Sequence, residues 1–143
     1  MKRMHSLIFA ATTGILTLAS SPLFAHGDES HDAQKAPNGG QLSKAGVYHF
    51  ELVVAQDGKE TKDNPVVVFV TDHAGGRIPT AGASGTATLL AGKAKSAVTL
   101  TPDGDNRMKG VAKYAATPDM KVVVSITLPG KATEQARFTP IGR

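Results

Sequence analysis

From Gly46 onward the apolar side chains of this 143-residue chain recur at every second position in short runs, and no stretch beyond residue 25 keeps a helical period. Tyr48, Phe50, Leu52 and Val54 fall on one face of the first run, with Val47, His49, Glu51 and Val53 on the other. Successive side chains of a strand point to opposite faces, so this pattern buries one face and wets the other. Val66–Thr71 is a second, strongly β-branched run. Candidate strands continue at Gly85–Ala91, Ser96–Thr101, Met108–Ala115, Val122–Leu128 and Gln135–Thr139. Between them lie Gly92-Lys93, Pro102-Asp103-Gly104, Thr117-Pro118 and Pro129-Gly130, all of which carry turn chemistry. The expected fold is all-β, an antiparallel, immunoglobulin-like β-sandwich of about seven strands, with a small barrel as the alternative architecture. Its core would take Tyr48, Phe50, Leu52, Val66, Val68, Val70, Leu89, Val98, Leu100, Val122, Val124 and Ile126.

The first 25 residues have a different character. Lys2 and Arg3 give a basic start, Leu7 to Leu18 an apolar run, and Leu23-Phe24-Ala25 a small residue at the end. That is the layout of a secretory signal, and the run is too short to span a bilayer comfortably. The expectation is export to the periplasm with cleavage after Ala25, and no membrane span in the mature chain. Residues 26–45 then read as a flexible polar arm with a turn at Pro37-Asn38-Gly39-Gly40, and residues 46–143 as the β-domain.

Charge and cysteine narrow the classes of function. The chain has 16 Lys and Arg against 12 Asp and Glu. Cleavage would remove Lys2 and Arg3 but no acid, so the mature protein would be only slightly basic. Nothing resembles the dense basic patch of a nucleic-acid binder. Cysteine is absent, which excludes disulfides, thiolate metal sites, thiol catalysis and lipid attachment through a cysteine. No Gly-x-Ser-x-Gly nucleophile turn or Gly-rich phosphate loop occurs. With no Trp and two Tyr there is little for a sugar-stacking platform. The chain does not read as an enzyme.

Two groups of residues can carry metal chemistry. Cleavage after Ala25 would leave His26 at a free amino terminus, where its α-amine and imidazole can chelate one cation. His31, Asp28, Glu29 and Asp32 lie within a few residues. Copper(II) takes such nitrogen ligands in a tetragonal array, and zinc takes imidazole with carboxylate. The plainer account of this segment is a solvated polar tail. The second group depends on the fold. Pairing the first two strands with both apolar faces inward sets Phe50 opposite Val70 or Asp72. His49 and His73 then share the outer face within diagonal reach, with Glu51 beside them. Two imidazoles and a carboxylate make a zinc or copper(II) set. The plainer account is two polar residues on a wet sheet face, or one of them capping the turn before Gly75-Gly76, with Asp72 a turn former rather than a ligand. Met108 and Met120 offer thioethers, but scattered Met usually fills core gaps.

Several motifs also carry a family resemblance. Pro37-Asn38-Gly39-Gly40, Gly46-Val47-Tyr48-His49-Phe50-Glu51-Leu52-Val53 and Val70-Thr71-Asp72-His73-Ala74-Gly75 resemble small periplasmic proteins that accompany heavy-metal efflux systems. Ala81–Leu90 and Val123–Pro129 extend the likeness, which is also similar to the amino-terminal region of periplasmic adaptor subunits of cation efflux pumps. The resemblance implies a β-rich periplasmic domain in a copper, zinc or cobalt resistance setting, with His49, Glu51 and His73 as the positions of interest. One departure stands out: where the family turn often reads Pro-His-Gly-Gly, this chain has Asn38, a poor ligand for these metals.

Two functions follow as expectations. The first is a periplasmic accessory protein that captures Cu(II) or Zn(II) through His26, His31, His49, Glu51 and His73. It would buffer the ion or pass it to an efflux component. The second is a β-domain that binds a protein partner without metal, through an edge strand or the face carrying Val47, Val53, Val67 and Phe69.

Overall fold

The computed structural model describes residues 36–142. The expected leader, its expected cleavage site and most of the expected arm, His26 and His31 included, lie outside the described residues. Eight strands run in the order β1 (Gln41–Ala45), β2 (Tyr48–Val54), β3 (Lys62–Asp72), β4 (Ser84–Ala91), β5 (Ala94–Pro102), β6 (Arg107–Tyr114), β7 (Lys121–Thr127) and β8 (Thr133–Phe138). All neighbours pair antiparallel in the spatial order β1-β2-β3-β6-β5-β4-β7-β8. The all-β expectation therefore holds, with eight strands where seven were expected.

The sheet is built from two four-stranded halves that share one core. β1, β2, β3 and β6 form one half, and β5, β4, β7 and β8 the other. They join through a short pairing in which Thr101 faces Lys109 and Pro102 faces Met108. At the opposite end the outermost strands β1 and β8 approach, and the Thr139 N–H donates to Gln41 Oε1 at 2.8 Å. The result is one nearly closed sheet whose halves face each other as the layers of a sandwich do.

The core follows from the alternation. Phe50, Leu52, Val66, Val68, Val70, Leu89, Leu100, Val122, Val124 and Ile126 are all buried. Tyr48 and Val98 are only partly buried and pack against the edge of that cluster. Met108 and Met120 lie fully inside it, where their flexible thioethers fill the core.

Two segments differ from the sequence expectation. β1 falls within the stretch assigned to the arm, because Gln41-Leu42-Ser43-Lys44-Ala45 has neither β-branched residues nor strict alternation. Pairing with β2, from Gln41 opposite Leu52 to Ala45 opposite Tyr48, makes it a strand. β3 begins at Lys62, four residues before the Val66–Thr71 run read from the sequence. There Asn64 is buried, with its Nδ2 donating to the Tyr114 carbonyl at 3.0 Å.

Tyr114 secures this end of the sheet. Its hydroxyl donates to the Pro65 carbonyl at 2.7 Å and accepts from the Ala55 N–H at 3.0 Å. Burial pushes the phenol above its ordinary value of 10.0, and the Ala55 bond pulls the other way. The folded chain thus holds this proton more tightly than the unfolded chain does. That stabilisation is present below about pH 10 and is lost as pH rises through the folded-state value. Replacing Tyr114 by Phe leaves two backbone groups without their partner and is expected to cost about 1–3 kcal/mol at neutral pH. Urea unfolding of both proteins checks this, and the gap between them should narrow above about pH 10.

Candidate metal centre on the outer face of the β2–β3 hairpin

The register of β2 against β3 sets this site. Phe50 lies opposite Val70 and His49 opposite Thr71. His73 follows two residues after Thr71, just beyond the end of β3. A five-residue turn then holds it in place. Asp72 Oδ1 accepts the Ala74 N–H at 2.8 Å and the Gly76 N–H at 2.7 Å. The Asp72 N–H donates to the Gly76 carbonyl at 2.8 Å, and Gly75 takes a φ of 84°. A side chain that bonds its own following backbone is what makes Asp favoured in turns. The turn is closed by a bridge from Thr71 to Arg77, and the Arg77 guanidinium pairs with Asp105 at 2.8 Å.

The two histidines meet on this scaffold. His73 Nδ1 lies 3.2 Å from His49 Nε2. The ring centroids are 4.6 Å apart and the planes stand at 84°. His73 is exposed and His49 half-buried. Between neutral rings, one nitrogen donates and the other accepts. A cation can take the same place between the two nitrogens once neither carries a proton there. Lys44 of β1 lies opposite His49 on the side away from Thr71.

Glu51 shares the outer face but faces another task. It is 2% exposed although it points away from the core, because the turn at residues 37–40 folds over it. Its carboxylate accepts the Asn38 N–H at 2.8 Å, Asn38 Nδ2 at 2.9 Å and the Gly40 N–H at 3.0 Å. Gly40 permits this close approach: a Cβ there would collide with the Leu52 carbonyl and with Val53. The structure thus brings His49 and His73 together and turns the Glu51 carboxylate to the start of the described chain. Among the described residues no group of three or more His, Asp or Glu is arranged to hold a metal ion.

Sequence reasoning missed Asn38 and Gly40 as partners of Glu51. Asn38 looked only like the residue standing where a ligand might be. Asn38 lies in a turn closed by the Gly39 N–H donating to the Ala36 carbonyl at 3.2 Å, and nothing in the residue spacing signals that this turn folds over a strand carboxylate. No family model, curated protein or solved structure matches the chain.

Glu51→Gln tests the clamp. The amide keeps one acceptor oxygen and turns an NH₂ toward the N–H donors, so the variant is expected to lose about 1–3 kcal/mol of stability. Hydrogen exchange should quicken at the Asn38 and Gly40 amides while the β2–β3 ladder keeps its protection.

Proposed function

We propose that this protein is a periplasmic metal-binding accessory protein that captures Cu(II) or Zn(II) and buffers the ion or delivers it to an efflux system. The observation that carries this reading is the His49–His73 pair, two imidazole nitrogens held 3.2 Å apart at the surface by a strand register and an Asp-stabilised turn. Imidazole suits zinc and copper(II), and an exposed, incompletely ligated pair suits an ion that must leave again. The secretory layout of the first 25 residues and the resemblance to metal-efflux accessory proteins support the setting. His26 and His31 belong to the proposal as further donors from the arm. Glu51 contributes by fixing the root of that arm two residues along β2 from His49.

A second reading rests on the same half of the sheet. Val111 on β6 is 58% exposed and Val47 in the β1–β2 turn 62% exposed. Val53, Val67 and Phe69 on that face are half-buried. Apolar groups on one face suit a protein contact that needs no metal.

Replacing His49 and His73 together by Ala separates the two readings. For metal capture, isothermal titration should show the affinity for Zn(II) or Cu(II) falling at least about tenfold, which is about 1.4 kcal/mol. Far-UV circular dichroism should stay unchanged. Unaltered metal affinity together with lost binding to a periplasmic partner would favour the protein-contact reading. Because ligation needs unprotonated imidazole, affinity is also expected to fall between pH 7 and pH 5. A flat profile across that range would count against histidine ligation.

A further inference from the structure

The separation of the two ring nitrogens says more than that a metal can sit there. Zinc binds imidazole at about 2.0–2.1 Å, so nitrogens 3.2 Å apart subtend about 100–106° at an ion bonded to both. That is close to the tetrahedral angle. A right angle at the same bond lengths would bring the nitrogens to about 2.8–3.0 Å, and a linear arrangement would spread them to about 4.0–4.2 Å. The pair therefore has the bite of a tetrahedral ion and fills half of its coordination shell. We infer that zinc binds between two copies of this chain, His49 Nε2 and His73 Nδ1 of each copy completing one four-imidazole site on a two-fold axis.

This rests on the metal reading above and deepens it by naming the ion and the partner. The surroundings of the pair favour a second copy. The residues after His73 are Ala74, Gly75 and Gly76, all exposed and almost without side chain. A Cβ added at Gly75 would meet nothing within 4 Å. Two such turns can approach without collision. Val47 borders the same corner, because Tyr48 pairs with Asp72 and Val47 is the next residue outward. Its exposed side chain gives the contact an apolar element. A two-fold axis through the ion is the least demanding way to double a pair of donors, since one surface then serves both sides.

The exported protein titrated with zinc chloride, followed by sedimentation velocity and native mass spectrometry, tests this. The expected result is a doubling of mass that reaches its endpoint near about one ion per two chains and is reversed by chelator. His73→Ala should remain monomeric with an unchanged far-UV spectrum. Zinc retained by a chain that stays monomeric would overturn the bridge and leave metal capture standing. A chain that retains no zinc overturns the bridge, as does a dimer indifferent to zinc, chelator and His73; loss of both Zn(II) and Cu(II) binding is what overturns metal capture itself.

Discussion

The register that sets Phe50 opposite Val70 governs both the core and the outer face of this protein. A strand has a side-chain period of two, so a slip of one residue would move every side chain of β2 to the other face. Phe50, Leu52 and Val54 would then meet water, and His49, Glu51 and Val53 would enter the apolar interior. The burial of several large side chains pays for the register many times over, and the histidine pair inherits it without cost of its own. The site is thus a by-product of core packing up to Thr71. Beyond that point the Asp72 turn takes over and aims His73 back at His49.

The same face carries a buried charge, and a buried carboxylate is expensive unless its lone pairs are matched. Glu51 solves this locally. Three N–H donors from Asn38 and Gly40 converge on it, and bonds to an ionised acceptor are stronger than neutral ones. The consequence is topological. Asn38 and Gly40 are held over the outer face of β2, at the position two residues along the strand from His49, before β1 begins.

How much of this was legible in the sequence depends on what each feature requires. The strands from β2 to β8 announce themselves through alternation, and the parity argument for Phe50 and Val70 needs only the two strand patterns. That is enough to place His49 near His73. β1 was not legible, because Gln41–Ala45 has no strand character of its own and is recruited by the free edge of β2. The start of β3 was hidden for a similar reason, since Lys62-Asp63-Asn64-Pro65 looks like loop until Asn64 finds the Tyr114 carbonyl. Glu51 was placed on the right face, but its partners lie 11 and 13 residues away in sequence. Nothing in the spacing could show that the turn would fold over it. Near closure was open only as the barrel alternative, because it depends on a short pairing at Thr101 and Pro102 and on the approach of β1 to β8.

The two histidines are not equivalent, and that bears on how an ion could be exchanged. His49 sits inside a strand paired on both sides, with Lys44 opposite in β1 and Thr71 opposite in β3. Moving its backbone would break two ladders. His73 sits on a turn held by Asp72, with glycine at two of the next three positions. Its ring is exposed, and its backbone can shift at the expense of a few local hydrogen bonds. A ligand fixed by the sheet gives selectivity in position, and a ligand on a turn gives a way out. Under the proposed metal capture, one rigid donor and one yielding donor suit an ion that is taken up and surrendered better than two of either kind, with release beginning at His73.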